Sequence, residues 1–374
     1  MNLAEMLSYA DIQELGKIAL NYECDCSSHS KNDLIQSILL TVGRKEFIEN
    51  QMKRLTLEDI RFLNSLLFDP RSSFSLEELV ARVQQTKFSK EEKENGNPRD
   101  MISKFKQRGW LFNGYSHSTK YLFQIPSDLK SRFSEALYKQ FKSQIEETGE
   151  PSVYRDEQRL ILEDIYLFLQ YLHQEEGILT AENFLYKRQL QQILGRLSIV
   201  EEPVAKGPWR FGYGRMFREY PNRFSLIYDY CYYQGLIQEA EQRLTLTDRG
   251  KQRLQERRRE DLLEVYRFWL RLYKNAIPNL QSLVHWVERL ARRWVTADSL
   301  AKVLCPLIKP FYYDSSDSIL DIRILQMLMH LGLLRIGEDT SERKVVQISK
   351  LGSGVIHGIY VDEEDRVRIE DMRM

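Results

Sequence analysis

The chain has 374 residues, enough for two or three domains, and its 54 Lys and Arg balance its 54 Asp and Glu. Zero net charge excludes a bulk polycation that coats nucleic acid and excludes an acidic mimic, so any charged surface has to come from local clustering. An apolar content of 43% with 11% aromatics excludes disorder. The 18 Gly and 10 Pro are too few for a Gly-rich nucleotide enzyme or an all-β chain, and the four Cys too few and scattered for a disulfide framework.

Residues 1–20 carry Glu5, Asp11, Glu14 and Lys17 and no apolar leader core. No apolar run reaches bilayer length, so the expectation is a cytoplasmic chain without membrane contact. An amphipathic helix over 11–20, a polar loop and a second helix N-capped by Ser30 make a helical hairpin over residues 1–45. That hairpin resembles SAP-like and Rho-N-like units that bind nucleic acid, although the usual loop glycine is missing. A plain helical cap on the next domain is the alternative. In the loop, Cys24, Cys26 and His29 are the one ligand-like cluster. They have no second half, so no metal is expected.

Helices are expected over 57–68 and 76–83, then a charged linker over 87–98. A helix over 100–107 runs into Arg108-Gly109-Trp110-Leu111-Phe112, a polar turn and a second apolar stretch, 121–126. The same sentence recurs. Residues 222–233 lead into Gly235-Leu236-Ile237 and Arg243-Leu244-Thr245-Leu246-Thr247-Asp248-Arg249-Gly250. Residues 319–330 lead into Gly332-Leu333-Leu334 and 343–349, closing at Leu351-Gly352. Each copy reads as an amphipathic helix capped by a left-handed glycine and followed by a β-hairpin. Further helices over 159–173 and 181–197 precede the second hairpin. Those over 261–273, 280–294 and 299–307 precede the third.

A helical cluster closed by a hairpin wing is the winged helix-turn-helix, whose recognition helix is the one before the hairpin. The expected fold is therefore mainly α with short β-hairpins: a tandem winged-helix array behind an N-terminal helical hairpin. The expected domains are 1–45, 46–145, 151–258 and 259–374, the last with an acidic tail at 362–365.

No Walker loop, dinucleotide loop, zincin helix, nucleophile elbow or EF-hand occurs, and the six His are isolated from one another. The chain is expected to be neither an enzyme nor a cofactor carrier. Basic residues cluster instead. Residues 203–218 interleave Lys206, Arg210, Arg215 and Arg218 with Trp209, Phe211, Tyr213 and Phe217, and Arg223 follows. Arg249, Lys251, Arg253, Arg257, Arg258 and Arg259 form a second run, and Arg289, Arg292 and Arg293 a third. Cations alternating with aromatics suit phosphate contacts and base stacking. The nucleic-acid candidates are Lys206, Trp209, Arg210, Tyr213, Arg215, Arg218, Arg223, Arg249, Lys251, Arg253, Arg257 and Arg258. The competing reading makes 257–259 a solvated inter-domain helix, and Trp209, Phe211 and Tyr213 the anchors of a long loop. The helix over 223–233 is mostly Tyr, Phe and Leu and lacks the side chains that read bases in the major groove. Sequence-specific repression is not expected.

With its repeats in place, the chain resembles the helicase-associated, XPB-like N-terminal family of bacterial winged-helix proteins. The resemblance rests on Arg108-Gly109-Trp110-Leu111 and Ile125-Pro126-Ser127-Asp128-Leu129. It also rests on Leu179-Thr180 before 184–190, and on the Gly235 and Gly332 wings. Asn183 stands where a glycine is expected. The resemblance implies a DNA-binding or helicase- and DNA-repair-associated adaptor without a motor. It would bind duplex or single-stranded DNA non-specifically or by structure, with a helicase or other DNA-processing protein as partner. A protein-interaction scaffold without nucleic acid and a conventional transcription regulator are the alternatives.

Overall fold

Three helices end in the same way. Gly109, Gly235 and Gly332 have φ of +61°, +63° and +73°. In each case the amide of the next residue reaches back five positions: Trp110 N to Phe105 O (3.0 Å), Leu236 N to Cys231 O and Leu333 N to Leu328 O (both 2.8 Å). This is the left-handed helix stop that glycine adopts without a Cβ clash. A hairpin follows every time. The computed structural model describes residues 1–24, 30–69, 71–88, 92, 96–204 and 210–357. It is mainly helical with small antiparallel sheets. It divides into two compact units, residues 1–144 and 145–374. Among the described residues no helix is long and apolar enough to cross a membrane.

In the first unit, the helices Leu57–Leu67, Leu76–Thr86 and Pro98–Gln107 are interleaved with strands β1 (Ser73–Phe74), β2 (Phe112–Asn113) and β3 (Phe123–Gln124). The sheet order is β1-β3-β2. Thr56 and Ser75 start two of these helices with reciprocal capping boxes. Phe62, Phe105, Trp110 and Phe133 pack in the core as a chain of ring contacts, most of them edge-on. The N-terminal hairpin, helices Ile12–Asn21 and Lys31–Gly43, belongs to this same unit. Its Tyr22 hydroxyl donates to the Arg108 carbonyl, and its Ile18 side chain closes over Gly109.

The second unit holds two more copies. The first contains the helices Leu160–Gln174, Lys187–Arg196 and Asn222–Tyr233. Its strands are β5 (Gly177–Ile178), β6 (Ile237–Ala240) and β7 (Arg243–Leu246), in the order β5-β7-β6. The second contains Leu280–Leu290, Ala297–Leu304 and a helix over 316–330. Its strands are β8 (Val295–Thr296), β9 (Leu334–Glu338) and β10 (Lys344–Ile348). Its sheet gains a fourth strand, β4 (Val153–Arg155), in the order β4-β9-β10-β8. The 1-3-2 strand order thus occurs three times.

Both copies in this unit share a lock behind the hairpin, the candidate wing. Thr247 Oγ1 donates to Gly235 O and accepts from Gly250 N; Ser349 Oγ does the same between Gly332 O and Gly352 N. A Cβ on Gly250 or Gly352 would lie 2.1 Å from the carbonyl oxygen of Leu236 or Leu333.

The sequence reading and the structure differ in places. Residues 181–186 form a turn, not the start of a helix: Thr180 and Phe184 bond across it, and Leu179 bridges Leu185. Asn183 has φ +62°, so asparagine takes the left-handed position expected of glycine there. Residues 146–155, for which the sequence suggests no strand, contain β4, which pairs with β9 through Val153↔Glu338 and Arg155↔Ile336. The helix before the third wing is π-helical over Ile319–Leu325.

Candidate nucleic-acid interface

Burial separates the twelve candidate residues into groups. Lys206 and Trp209 lie outside the described residues. Arg223, at the start of the second pre-wing helix, is wholly enclosed. Its Nε donates to Glu157 Oε2 at 2.9 Å, and its Nη1 is 2.6 Å from Asp164 Oδ2. Glu157 also meets His330 Nδ1 at 3.0 Å and Arg155 at 2.6 Å. Burial pushes the Glu157 carboxyl upward in pKa. The His330 hydrogen bond and the Arg223 and Arg155 charges outweigh it and hold the group below the usual carboxylate range. The network ties the pre-wing helices of the second and third repeats to the segment before Leu160. Arg223 therefore offers a ligand no surface in this conformation: its charge is spent on two buried carboxylates.

The loop over 210–220 is anchored rather than free. Arg215 grips Glu239 of the second wing with two bonds, 2.8 and 3.1 Å, and its guanidinium lies 3.9 Å from the Tyr232 ring. Its amide donates to Asp229 Oδ2 at 2.9 Å. Gly214 makes that approach possible: φ is +105°, and a Cβ there would lie 2.2 Å from the same oxygen. Asp229 is fully buried, its Oδ1 has no partner, and burial raises its pKa to about 7. Tyr213 is buried edge-on against Tyr273, at 5.0 Å between centroids. Its ring packs into the core. Arg253 pairs with Glu260 at 2.9 Å, both largely buried.

Arg210 is held by neutral partners, the Tyr220 carbonyl at 2.8 Å and the Asn222 carboxamide oxygen at 2.6 Å. Beyond it, Phe211 meets a turn of the third repeat that sequence reasoning passed over. Its ring centroid lies 5.8–6.2 Å from those of Phe217, Phe311, Tyr312 and Tyr313. Arg323, from the π-helical segment, donates to Phe211 O at 2.7 Å and pairs with Asp314 at 2.9 Å. The loops that precede the second and third pre-wing helices thus meet in one aromatic seam. The run Phe311-Tyr312-Tyr313 was the available signal.

The remaining candidates lie at the surface. Arg249 and Lys251 are on the helix Asp248–Gln255, and Arg257 and Arg258 are in the turn that ends it. Lys251 stands 3.5 Å from the exposed Asp248. Among the described residues Arg249, Arg257 and Arg258 have no ion pair. Arg218 is exposed near the Phe217 ring. The third basic cluster is partly neutralised, Arg292 by Glu288 and Arg293 by Glu147.

Pre-wing helices, the candidate groove readers, differ in access. Residues 223–231 of the second are buried throughout. The third exposes Asp317 and Asp321, both acidic. On the first, Lys104 is bound to both oxygens of Asp59, at 2.6 and 2.8 Å, and Lys106 to Asn113 at 2.7 Å. Cys26 and His29 lie outside the described residues, and Cys24 contacts Thr41 at 3.4 Å. Among the described residues no three His, Cys, Asp or Glu converge as metal ligands. No protein-family model matches the chain, and no curated protein matches it significantly in sequence.

Proposed function

We propose that the chain is a non-catalytic, cytoplasmic adaptor of three tandem winged helices that holds nucleic acid by its phosphates rather than by reading bases. Support for the winged-helix reading comes from the thrice-repeated strand order and the three glycine-stopped helices that lead into hairpins. The observation that carries the binding reading is the group Arg249, Arg257 and Arg258, exposed and without ion pairs beside Lys251. In a neutral chain most cations are answered by nearby acids. Cations left unanswered within one short helix and its turn make a local positive patch that suits a polyanion. The resemblance to helicase-associated winged-helix proteins agrees with this design and suggests a DNA-processing partner.

The test is anisotropy of labelled random duplex and single strand across salt concentrations. Binding should weaken steeply with salt, and Arg249→Ala/Arg257→Ala/Arg258→Ala should flatten the log–log slope by about 2–3. A parent protein that binds no nucleic acid at low salt refutes the reading.

One observation favours a second reading, a protein scaffold. The second pre-wing helix is enclosed, and a winged helix whose recognition helix is used internally has given up groove docking. Pull-down with nuclease treatment separates the two: under the scaffold reading the partner survives digestion.

A further inference from the structure

We propose that the aromatic turn 311–314, together with Phe211 and Arg218, is a stacking platform for single-stranded nucleic acid. This rests on the nucleic-acid reading above and adds a second surface to it, with a different ligand preference from the post-wing arginines.

Three observations meet here. The first is exposure: Tyr312 and Tyr313 are 71% and 73% exposed, adjacent in sequence, on a protein that encloses most of its other aromatic rings. The second is rigidity. Phe311 and Asp314 exchange two backbone hydrogen bonds of 3.0 Å, and Tyr312 stands at φ +50°, a conformation unfavourable for a bulky side chain. Phe311 supports the Tyr312 ring edge-on at 4.7 Å, and Phe211 lies about as near to one tyrosine as to the other. The rings are displayed on a braced turn, at a backbone cost that core packing does not explain.

The third is charge. Asp314 answers Arg323, but the partners of Arg210 are a carbonyl and a carboxamide. Arg210, beside Phe211, makes no ion pair among the described residues; Glu201, the carboxylate that acts on it, accepts the Arg223 and Phe224 amides. Burial, and then the neighbouring Arg323, draw the Arg210 pKa below its ordinary value, the mark of a cation that would gain from an anion. Arg218 is exposed beside the Phe217 ring at the edge of the seam. Exposed rings beside a guanidinium that makes no ion pair among the described residues fit unpaired bases on a phosphate backbone. A duplex hides its base faces, and an uncharged peptide leaves that guanidinium without an anion.

The probes are a single-stranded oligothymidylate, an abasic strand of the same length, a random duplex and a proline-rich peptide, each titrated with the full chain. The variant Tyr312→Gly/Tyr313→Ala keeps the left-handed turn accessible, and an unchanged thermal melt establishes its fold. Its affinity for the oligothymidylate should fall about tenfold or more. Its affinities for the abasic strand and the duplex should be unchanged, and Tyr312→Phe/Tyr313→Phe should bind as the parent does. The proposal is overturned if the parent binds the abasic strand as tightly as the oligothymidylate, or if the Gly/Ala variant retains its affinity. In either case, salt-dependent duplex binding through Arg249, Arg257 and Arg258 leaves the adaptor reading standing. Absence of binding to every nucleic acid at low salt overturns both. Capture of the proline-rich peptide alone, lost in the Gly/Ala variant, overturns the nucleic-acid assignment and gives the turn to a protein partner.

Discussion

Asp229 offers the sharpest quantitative test of the way the second unit is built. It lies in the middle of the second pre-wing helix, fully enclosed, with the Arg215 amide as the single donor to its carboxyl. The charged groups nearest to it are Arg215, which favours ionisation, and Glu239, which opposes it, with the phenol of Tyr273 beside them. Desolvation dominates, and the folded-state pKa rises to about 7 from the ordinary 3.8. A carboxyl raised on folding binds its proton more tightly in the native state. Its contribution to stability is therefore complete below pH 3.8 and is lost progressively as the pH rises to about 7. At about 1.4 kcal/mol per pKa unit, the whole span is worth about 4 kcal/mol, and the part between pH 5 and pH 7 about 2–3 kcal/mol. Asp229→Asn keeps an oxygen for the Arg215 amide and removes the titration. It places an amide donor on the side where Oδ1 has no partner, at a constant cost of about 1–3 kcal/mol. Urea denaturation of parent and variant from pH 5 to pH 8 should give curves that diverge, the variant gaining about 2–3 kcal/mol relative to the parent over that range. Parallel curves would refute the reasoning and mean that Asp229 stays charged, or stays protonated, throughout.

Other consequences follow from the same structure. Gly332→Ala should prevent stable folding of the second unit, because its Cβ would lie 1.5 Å from Gln158 O at a φ of +73°; loss of the cooperative melt checks it. Gly352→Ala sets a Cβ 2.1 Å from Leu333 O and should cost about 1–3 kcal/mol or more in urea denaturation. Arg223→Ala removes the ion pair of the buried Asp164 and one of three partners of Glu157 and should cost about 3–5 kcal/mol, with recovery of part of that in the double variant with Asp164→Asn. Arg215→Ala should lower the melting temperature, since its guanidinium joins loop and hairpin, while Arg249→Ala should leave it unchanged.

Much of the fold was legible because it repeats. A helix stop needs a left-handed residue, a hairpin needs apolar residues on both sides of a turn, and the wings at Gly109, Gly235 and Gly332 state both requirements locally. Strands β1, β5 and β8 were not legible. Each has two residues, too few for an alternating pattern, and each exists because a wing strand offers it backbone partners. Strand β4 was hidden for the same reason, its ladder being supplied from a strand far along the chain.

The candidate site was legible in composition and not in use. Arginine is chosen for phosphate and for buried carboxylate by the same guanidinium fork, so a run of arginines does not tell which it serves. Arg215 and Arg253 find their acids 24 and 7 residues away, across a wing and a turn. Arg223 finds Glu157 from 66 residues away. One signal did separate them. The helix Asn222–Tyr233 is apolar or aromatic nearly all the way round, and a helix without a polar face is an enclosed one. An arginine at its start was therefore bound to need carboxylates inside the protein. The helix Asp248–Gln255 is the opposite case, with Gly250 as its one buried residue. Arg253, which reaches Glu260, is the exception on it; its exposed cations stay in water unless something outside the chain answers them. The two halves of the basic region thus obey one rule, burial of the arginine side chain within reach of an acid of the same unit. That rule divides the cations that hold the second unit together from those available to a partner.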